Sequence, residues 1–184
     1  MRRKIKRLAD ACLIVGAMMA LLVAFIPFNL IKTEDRQGSY TLPASLSAQV
    51  AKEAKGMELE QIIDYSLALT ASELRFAVQN DVANGKANCI GYAQLCSAIC
   101  NQALSTNGIK GKARPVVGYI ESNGINWCRI LKAIAPKTSY KNFVKDHDFV
   151  ELTCESKRFH FDPSIYDILG KKMLVNHNQI INHN

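Results

Sequence analysis

Asn88-Cys89-Ile90-Gly91-Tyr92-Ala93-Gln94-Leu95 is the stretch from which the rest of the chain can be laid out. A loop carrying Asn84-Gly85-Lys86 runs directly into an apolar pattern at helical spacing, through Ala93, Cys96, Ala98, Cys100, Ala103 and Leu104. Asn107-Gly108 ends it, Gly108 being suited to the left-handed position after a last turn. Cys89 therefore stands at the helix N-terminus. Unpaired backbone N–H groups and the positive end of the helix dipole gather there; they favour a thiolate and can hold an oxyanion. A small apolar cysteine capping a core helix would occupy the same place. What separates the two readings lies downstream.

Upstream, two more helical patterns precede the loop. Pro43 and Ser45 introduce Leu46, Val50 and Ala54, stopped at Gly56. Leu59, Ile62, Ile63, Leu67 and Leu69 then recur at helical intervals from about Glu58 to Thr70, and Leu74 to Val78 continues that helix or forms a short extended piece. Thr33 to Thr41 is polar, contains Gly38-Ser39, and has the composition of a linker.

The N-terminus accounts for most of the charge. Of 23 basic residues, five are Arg2, Arg3, Lys4, Lys6 and Arg7; the other 18 stand against 16 acidic residues, so the formal charge of +7 is concentrated there. No basic helix with interleaved aromatics follows, which excludes nucleic-acid binding as the meaning of the charge. An apolar run of 18 residues, Ala11 to Phe28, comes next and is near the lower limit for spanning a bilayer. The basic residues before it predict a cytoplasmic N-terminus with the bulk of the chain outside the membrane. A cleaved signal peptide would need small residues in an Ala-x-Ala pattern, and Pro27-Phe28-Asn29-Leu30-Ile31 has none. Cys12 precedes the apolar core and is not placed as a lipoprotein cysteine. The expectation is an uncleaved signal anchor.

Downstream of Gly108 the chain turns β-rich. Ala113 to Ile120 is an extended pattern, Asn123-Gly124 is a hairpin signal, and Asn126 to Ile134 is expected as the return strand. Pro136 to Asn142 is a loop. Asp146 to Thr153 alternates, with His147, Phe149 and Glu151 on one face and Asp148, Val150 and Leu152 on the other. After a polar turn at 154–157, Arg158 to Asp162 returns and Pro163 closes the strand. The end of the chain, with His177 and His183 among asparagines, is expected to be a frayed polar tail rather than a metal site. Helices first and an antiparallel meander second define an α+β domain.

A cysteine nucleophile needs a base, and the base needs an orienting group. In a hairpin turning near 154–157, position 147 lies opposite roughly 162 to 164, which puts Asp162 within side-chain reach of His147. The order is helix-start Cys89, strand His147, next-strand Asp162.

With these residues in place the chain resembles the bacterial transglutaminase-like superfamily, which includes transglutaminases, related cysteine peptidases and peptide N-glycanase-like enzymes. The resemblance is carried by Asn88 to Ala93, Gly108-Ile109, Ala113 to Gly118, His147 to Leu152 and Phe161-Asp162-Pro163, over roughly residues 56–168. It implies a papain-like α+β core in which a central nucleophile helix packs on an antiparallel sheet. Cys89 would be the nucleophile, His147 the general base and Asp162 its orienter. The histidine motif departs from the family, in which a small residue and then Trp usually follow the histidine; here Asp148 and Phe149 follow it. Gln79 and Asn84 are the upstream candidates for a side-chain oxyanion donor.

The other cysteines are expected to be buried thiols, with a bridge from Cys96 or Cys100 to Cys128 or Cys154 as the alternative in an oxidising compartment. The histidines and cysteines do not fall at zinc-ligand intervals, so no metal or other cofactor is called for. The organisation expected is a cytoplasmic basic tail at 1–10, a transmembrane anchor at 11–31, a linker at 32–42, the transglutaminase-like domain at 43–170 and a polar tail at 171–184. A chain beginning near residue 40 should then fold without its anchor. The partners expected are a protein or peptide substrate and the membrane. The function expected is thioester-forming hydrolysis or acyl transfer at peptide or carboxamide bonds; the alternative is a catalytically inactive binding or assembly module of the same fold. A reporter fused after Asn184 should be active only in its extracytoplasmic form; cytoplasmic activity would overturn the topology.

Overall fold

The computed structural model describes residues 28–134 and 146–178. The basic tail, nearly all of the apolar segment, the whole of the 136–142 loop and His183 lie outside the described residues. Among the described residues no helix is long and apolar enough to cross a membrane.

Strand β1 (Asn29–Asp35) is followed by helices α1 (Ala44–Glu53) and α2 (Leu59–Glu73). Short strands β2 (Arg75–Phe76) and β3 (Lys86–Ala87) pair in parallel and frame a 3-10 turn at Val82–Asn84. Helix α3 (Cys89–Thr106) comes next. It is followed by β4 (Gly111–Ser122), β5 (Ile125–Asn126), α4 (Trp127–Ile134), β6 (His147–Cys154), β7 (Lys157–Phe161), α5 (Pro163–Leu169) and β8 (Leu174–Asn178). The main sheet is antiparallel with order β1-β4-β6-β7-β8, and β5 folds back on β4.

Helix α3 is the hub of the packing. Ile62, Ile63 and Leu67 of α2 and Val150, Leu152, Phe159 and Phe161 of the sheet share one core with Ile99, Ala103 and Leu104 of α3. Asn101 locks the helix to β4: its amide donates to Ala113 O at 2.8 Å and its Oδ1 accepts from Ala113 N at 2.8 Å. Asn107 ties the far end to α1, donating to Ala54 O at 2.7 Å while Gly56 N donates to its Oδ1 at 2.7 Å. A smaller core on the other side of the sheet joins Leu30, Val116, Phe149 and Met173. Strand β6 is thus central and buried on both faces.

Four regions differ from the sequence-based layout. Residues 29–31 are not the end of the anchor and 33–35 are not linker; they form the edge strand β1, whose charged residues find partners over a hundred positions away. Lys32 Nζ donates to Glu151 Oε1 at 3.0 Å, and the Arg36 guanidinium makes two bonds of 2.6 Å to Asp148. Residues 127–134 form a helix rather than a return strand. The turn at Asn123-Gly124 does form, with φ of 51° and 77°, but only Ile125 and Asn126 pair, and Asn126 Oδ1 accepts from Arg129 N at 3.0 Å and starts a helical turn. Pro163 ends β7 by opening α5, the usual place for proline in a first turn. Residues 174–178, assigned to the polar tail, pair with β7 as β8. The domain therefore reaches from at least residue 28 to 178, not 43 to 170.

Gly118 is where β1 and β6 meet β4. It pairs with Lys32 on one side and His147 on the other, and a Cβ there would lie 1.9 Å from Ile31 O. A chain beginning at residue 40 loses β1, uncovers Val116 and Phe149, and leaves Asp148 without its guanidinium. A chain beginning at residue 28 keeps all of these. Urea denaturation should show the shorter chain less stable by at least about 4 kcal/mol, from one lost buried leucine and one buried carboxylate stripped of its partner. Equal stability would show that β1 is dispensable.

Candidate active site

Three element starts converge at one end of the sheet. Cys89 is the first residue of α3, His147 the first of β6, and Asp162 the cap residue of α5.

The start of α3 is held by its own loop. Asn88 caps the helix, its Oδ1 accepting from Ile90 N at 3.0 Å. Its backbone N–H donates to Asn80 Oδ1 at 2.8 Å, and its side-chain amide donates to Val78 O at 3.2 Å. The loop can approach this closely because residue 91 is glycine: a Cβ there would fall 2.7 Å from Ala87 Cβ and 2.8 Å from Asn80 Oδ1. One turn on, the buried Tyr92 hydroxyl donates to Asp167 Oδ2 and joins α3 to α5.

Asp162 is fully buried and divides its carboxylate. Oδ1 accepts from Ser164 N at 2.9 Å, Ser164 Oγ at 2.8 Å and Ile165 N at 3.0 Å, capping α5. Oδ2 takes the bond from His147 Nε2. With Nε2 committed, Nδ1 is the ring nitrogen left for Cys89. Burial by itself would depress the His147 pKa, but the Asp162 charge and hydrogen bond outweigh it. The hydrogen bond and charge of Cys89 add to them, and the imidazole titrates well above its ordinary value of 6.5. Burial pushes Asp162 the other way, upward, but the His147 charge and hydrogen bond, with the Ile165 N–H and Ser164, leave it below its ordinary 3.8.

Cys89 and His147 share the wall of a cavity of about 240 Å³ with Trp127, Ile120, Ile165 and Ile168. Neither sequence candidate for the oxyanion donor lines it. Gln79 is exposed, and the Asn84 amide donates to both Asp81 oxygens at 3.1 and 2.9 Å. Asn80, not among the sequence candidates, is the loop residue that reaches the helix start. Trp127 was hidden by the expectation of a strand; the apolar spacing of Trp127, Ile130, Leu131 and Ile134 was the available signal.

Asp148 is buried against Arg36, and Phe149 packs in the smaller core edge-to-face with His160 at 5.2 Å. His160 is engaged away from Cys89: its two ring nitrogens face Leu30 O at 3.1 Å and Glu151 Oε2 at 3.0 Å. Cys96, Cys100, Cys128 and Cys154 are buried and unbridged, as is Cys89. Burial drives the Cys96 thiol far up and the Cys100 thiol up to about 12. Among the described residues no group of three or more His, Cys, Asp and Glu side chains is placed to hold a metal ion. No family model, curated protein or solved structure matches the chain, so the transglutaminase-like resemblance rests on its own residues.

The two shifts define a pH window. The raised His147 pKa contributes stability that is complete below about 6.5 and fades as pH climbs through the higher folded value. The lowered Asp162 pKa contributes stability that is complete above about 3.8 and fades as pH falls through the lower folded value. Asn at 162 keeps a capping oxygen but places an amide NH2 where Oδ2 stood, so the charge and the acceptor for His147 Nε2 are both lost. Asp162→Asn should therefore cost most between about pH 4 and 6.5, roughly 3 kcal/mol, and less outside it. Unfolding free energies measured against pH check this; a pH-independent difference would mean that the charge pairing of Asp162 with His147 contributes nothing to stability.

Proposed function

We propose that the chain is a membrane-anchored, extracytoplasmic thiol enzyme of transglutaminase-like type, acting on peptide or carboxamide bonds. The observation that carries this is that Cys89 and His147 line one cavity, with His147 bonded to Asp162, the cysteine at a helix N-terminus and the aspartate buried and capping. In the first half-reaction Cys89 Sγ forms a bond to the carbonyl carbon, and the thiol proton resides on His147. The C–N bond then breaks, the amine leaves with that proton, and a thioester remains. In the second half-reaction His147 takes a proton from water or from an acceptor amine, whose oxygen or nitrogen attacks the thioester, and the proton returns to Cys89 as sulfur leaves. Asp162 touches no reacting atom; it positions the imidazole and favours its charged form.

The departure at Asp148-Phe149 does not count against catalysis. Asp148 pairs with Arg36 and Phe149 fills a core, so both serve the sheet. That weakens the case for an inactive module. The membrane-anchored setting follows from Arg2 to Arg7 and the apolar run behind them.

The rate of Cys89 alkylation by iodoacetamide against pH needs no substrate. Cys89 should label at mildly acidic pH while Cys96 and Cys100, whose thiols are pushed up by burial, stay unlabelled. His147→Ala should lower the acidic-limb rate at least about tenfold, and Asp162→Asn should lower it less. An unchanged profile in His147→Ala would remove the base and with it the enzyme reading. Lys112→Ala, exposed on β4, serves as the control.

A further inference from the structure

The cavity beside Cys89 has an unusual balance of chemistry. Phe76, Ile120, Trp127, Ile165 and Ile168 make most of its wall, and the ionisable groups in it are Cys89, Cys128, His147 and Asp146. The apolar wall continues to the surface, because Ile168 is 52% and Phe76 42% exposed. Trp127 brings a second feature. Its Nε1–H is buried and has no acceptor among the described residues. An unsatisfied buried donor costs on the order of 1–3 kcal/mol, which is regained when an oxygen arrives. At about 240 Å³ the cavity exceeds the roughly 150 Å³ that suffices for a benzene ring. It has room for one branched or aromatic side chain with its adjoining carbonyl.

We infer that this cavity selects acyl donors whose side chain next to the attacked carbonyl is apolar, with Trp127 Nε1–H binding a carbonyl oxygen of the same substrate. The inference rests on Cys89 being the nucleophile. A carboxylate side chain would be desolvated against apolar walls and would share the cavity with the Asp146 carboxylate, and an amide or hydroxyl would meet one donor and few other partners. A leucine or phenylalanine side chain covers Ile120, Ile165 and Ile168 instead, at about 25 cal/mol for each Å² removed from water. The hairpin Asn123-Gly124 and the turn that Asn126 starts place Trp127 against Phe28, with ring centroids 6.5 Å apart, so its position is set by packing rather than by a free loop.

The test uses the full-length chain in detergent micelles and N-acetyl aminoacyl chloromethyl ketones carrying Phe, Leu, Ala, Glu or Lys side chains. Cys89 Sγ forms a bond to the methylene carbon as chloride leaves, and peptide mapping reports the labelled residue. Each rate constant is divided by that for iodoacetamide on the same protein. The Phe and Leu probes should exceed the Glu and Lys probes by at least about tenfold, within the range that apolar pockets deliver. Ile168→Glu, at a half-exposed position, should shrink the Phe-over-Lys ratio several-fold, and Trp127→Phe should lower the normalised rates of the whole series. A flat series, or preference for Glu or Lys, overturns the inference while His147-dependent iodoacetamide labelling keeps the thiol enzyme. An unchanged Phe-over-Lys ratio in Ile168→Glu together with unchanged normalised rates in Trp127→Phe overturns it too. If iodoacetamide does not favour Cys89 in the first place, the enzyme reading falls and the cavity assignment with it.

Discussion

The carboxylate of Asp162 has two oxygens and two separate tasks, and the site depends on their coexistence. Oδ1 satisfies two backbone N–H groups and the Ser164 hydroxyl at the start of α5, while Oδ2 holds His147. The cap fixes the carboxylate in one rotamer, so the imidazole meets an acceptor that cannot swing away. In return the protonated imidazole supplies the charge that keeps a fully buried carboxylate ionised. Tyr92 closes the loop from the other side: its bond to Asp167 fixes α5 relative to α3, and so Asp162 relative to Cys89.

The same logic of buried charge holds the rest of strand β6. Glu151 is fully buried; burial would raise its pKa, but bonds from His160, Arg114 and Lys32 hold it down at about 2. Asp148 is buried against Arg36. Both carboxylates sit on central strand β6, and Lys32 and Arg36 come from β1 or the residue just after it. Strand β1 therefore is not a decorative edge. Without it two desolvated carboxylates on β6 lose cations, and β4 loses the strand that pairs with Gly118 across from His147.

Burial also sorts the thiols. Cys96 and Cys100 lie deep on the packed face of α3, where a thiolate would be desolvated, and their pKa values rise accordingly. Cys89, two turns earlier, borders a cavity and an imidazole. One helix thus carries structural thiols and the candidate nucleophile, distinguished by depth and neighbour rather than by residue type.

Much of the local structure is legible in the residues themselves. The helical spacing after Asn88, the left-handed Gly108 and the Asn123-Gly124 turn are short-range signals, and local sterics and hydrogen bonds decide them. The contact between His147 and Asp162 is also readable, because a hairpin with a turn at residues 155–156 leaves little freedom in which positions oppose each other. Other features were decided by partners far away in sequence. Thr33 to Arg36 has the composition of a solvated linker until Glu151 and Asp148 are brought beside it, 119 and 112 residues from Lys32 and Arg36. Leu174 to Asn178 is polar and becomes a strand only because β7 offers an open edge. Trp127 enters the cavity wall because a helix begins where the hairpin might have continued, a choice made by packing against Phe28 and β4. Local propensity sets turns, caps and periodicity. Long-range pairing alone satisfies a charge or an edge strand, and it exists only once the sheet is assembled.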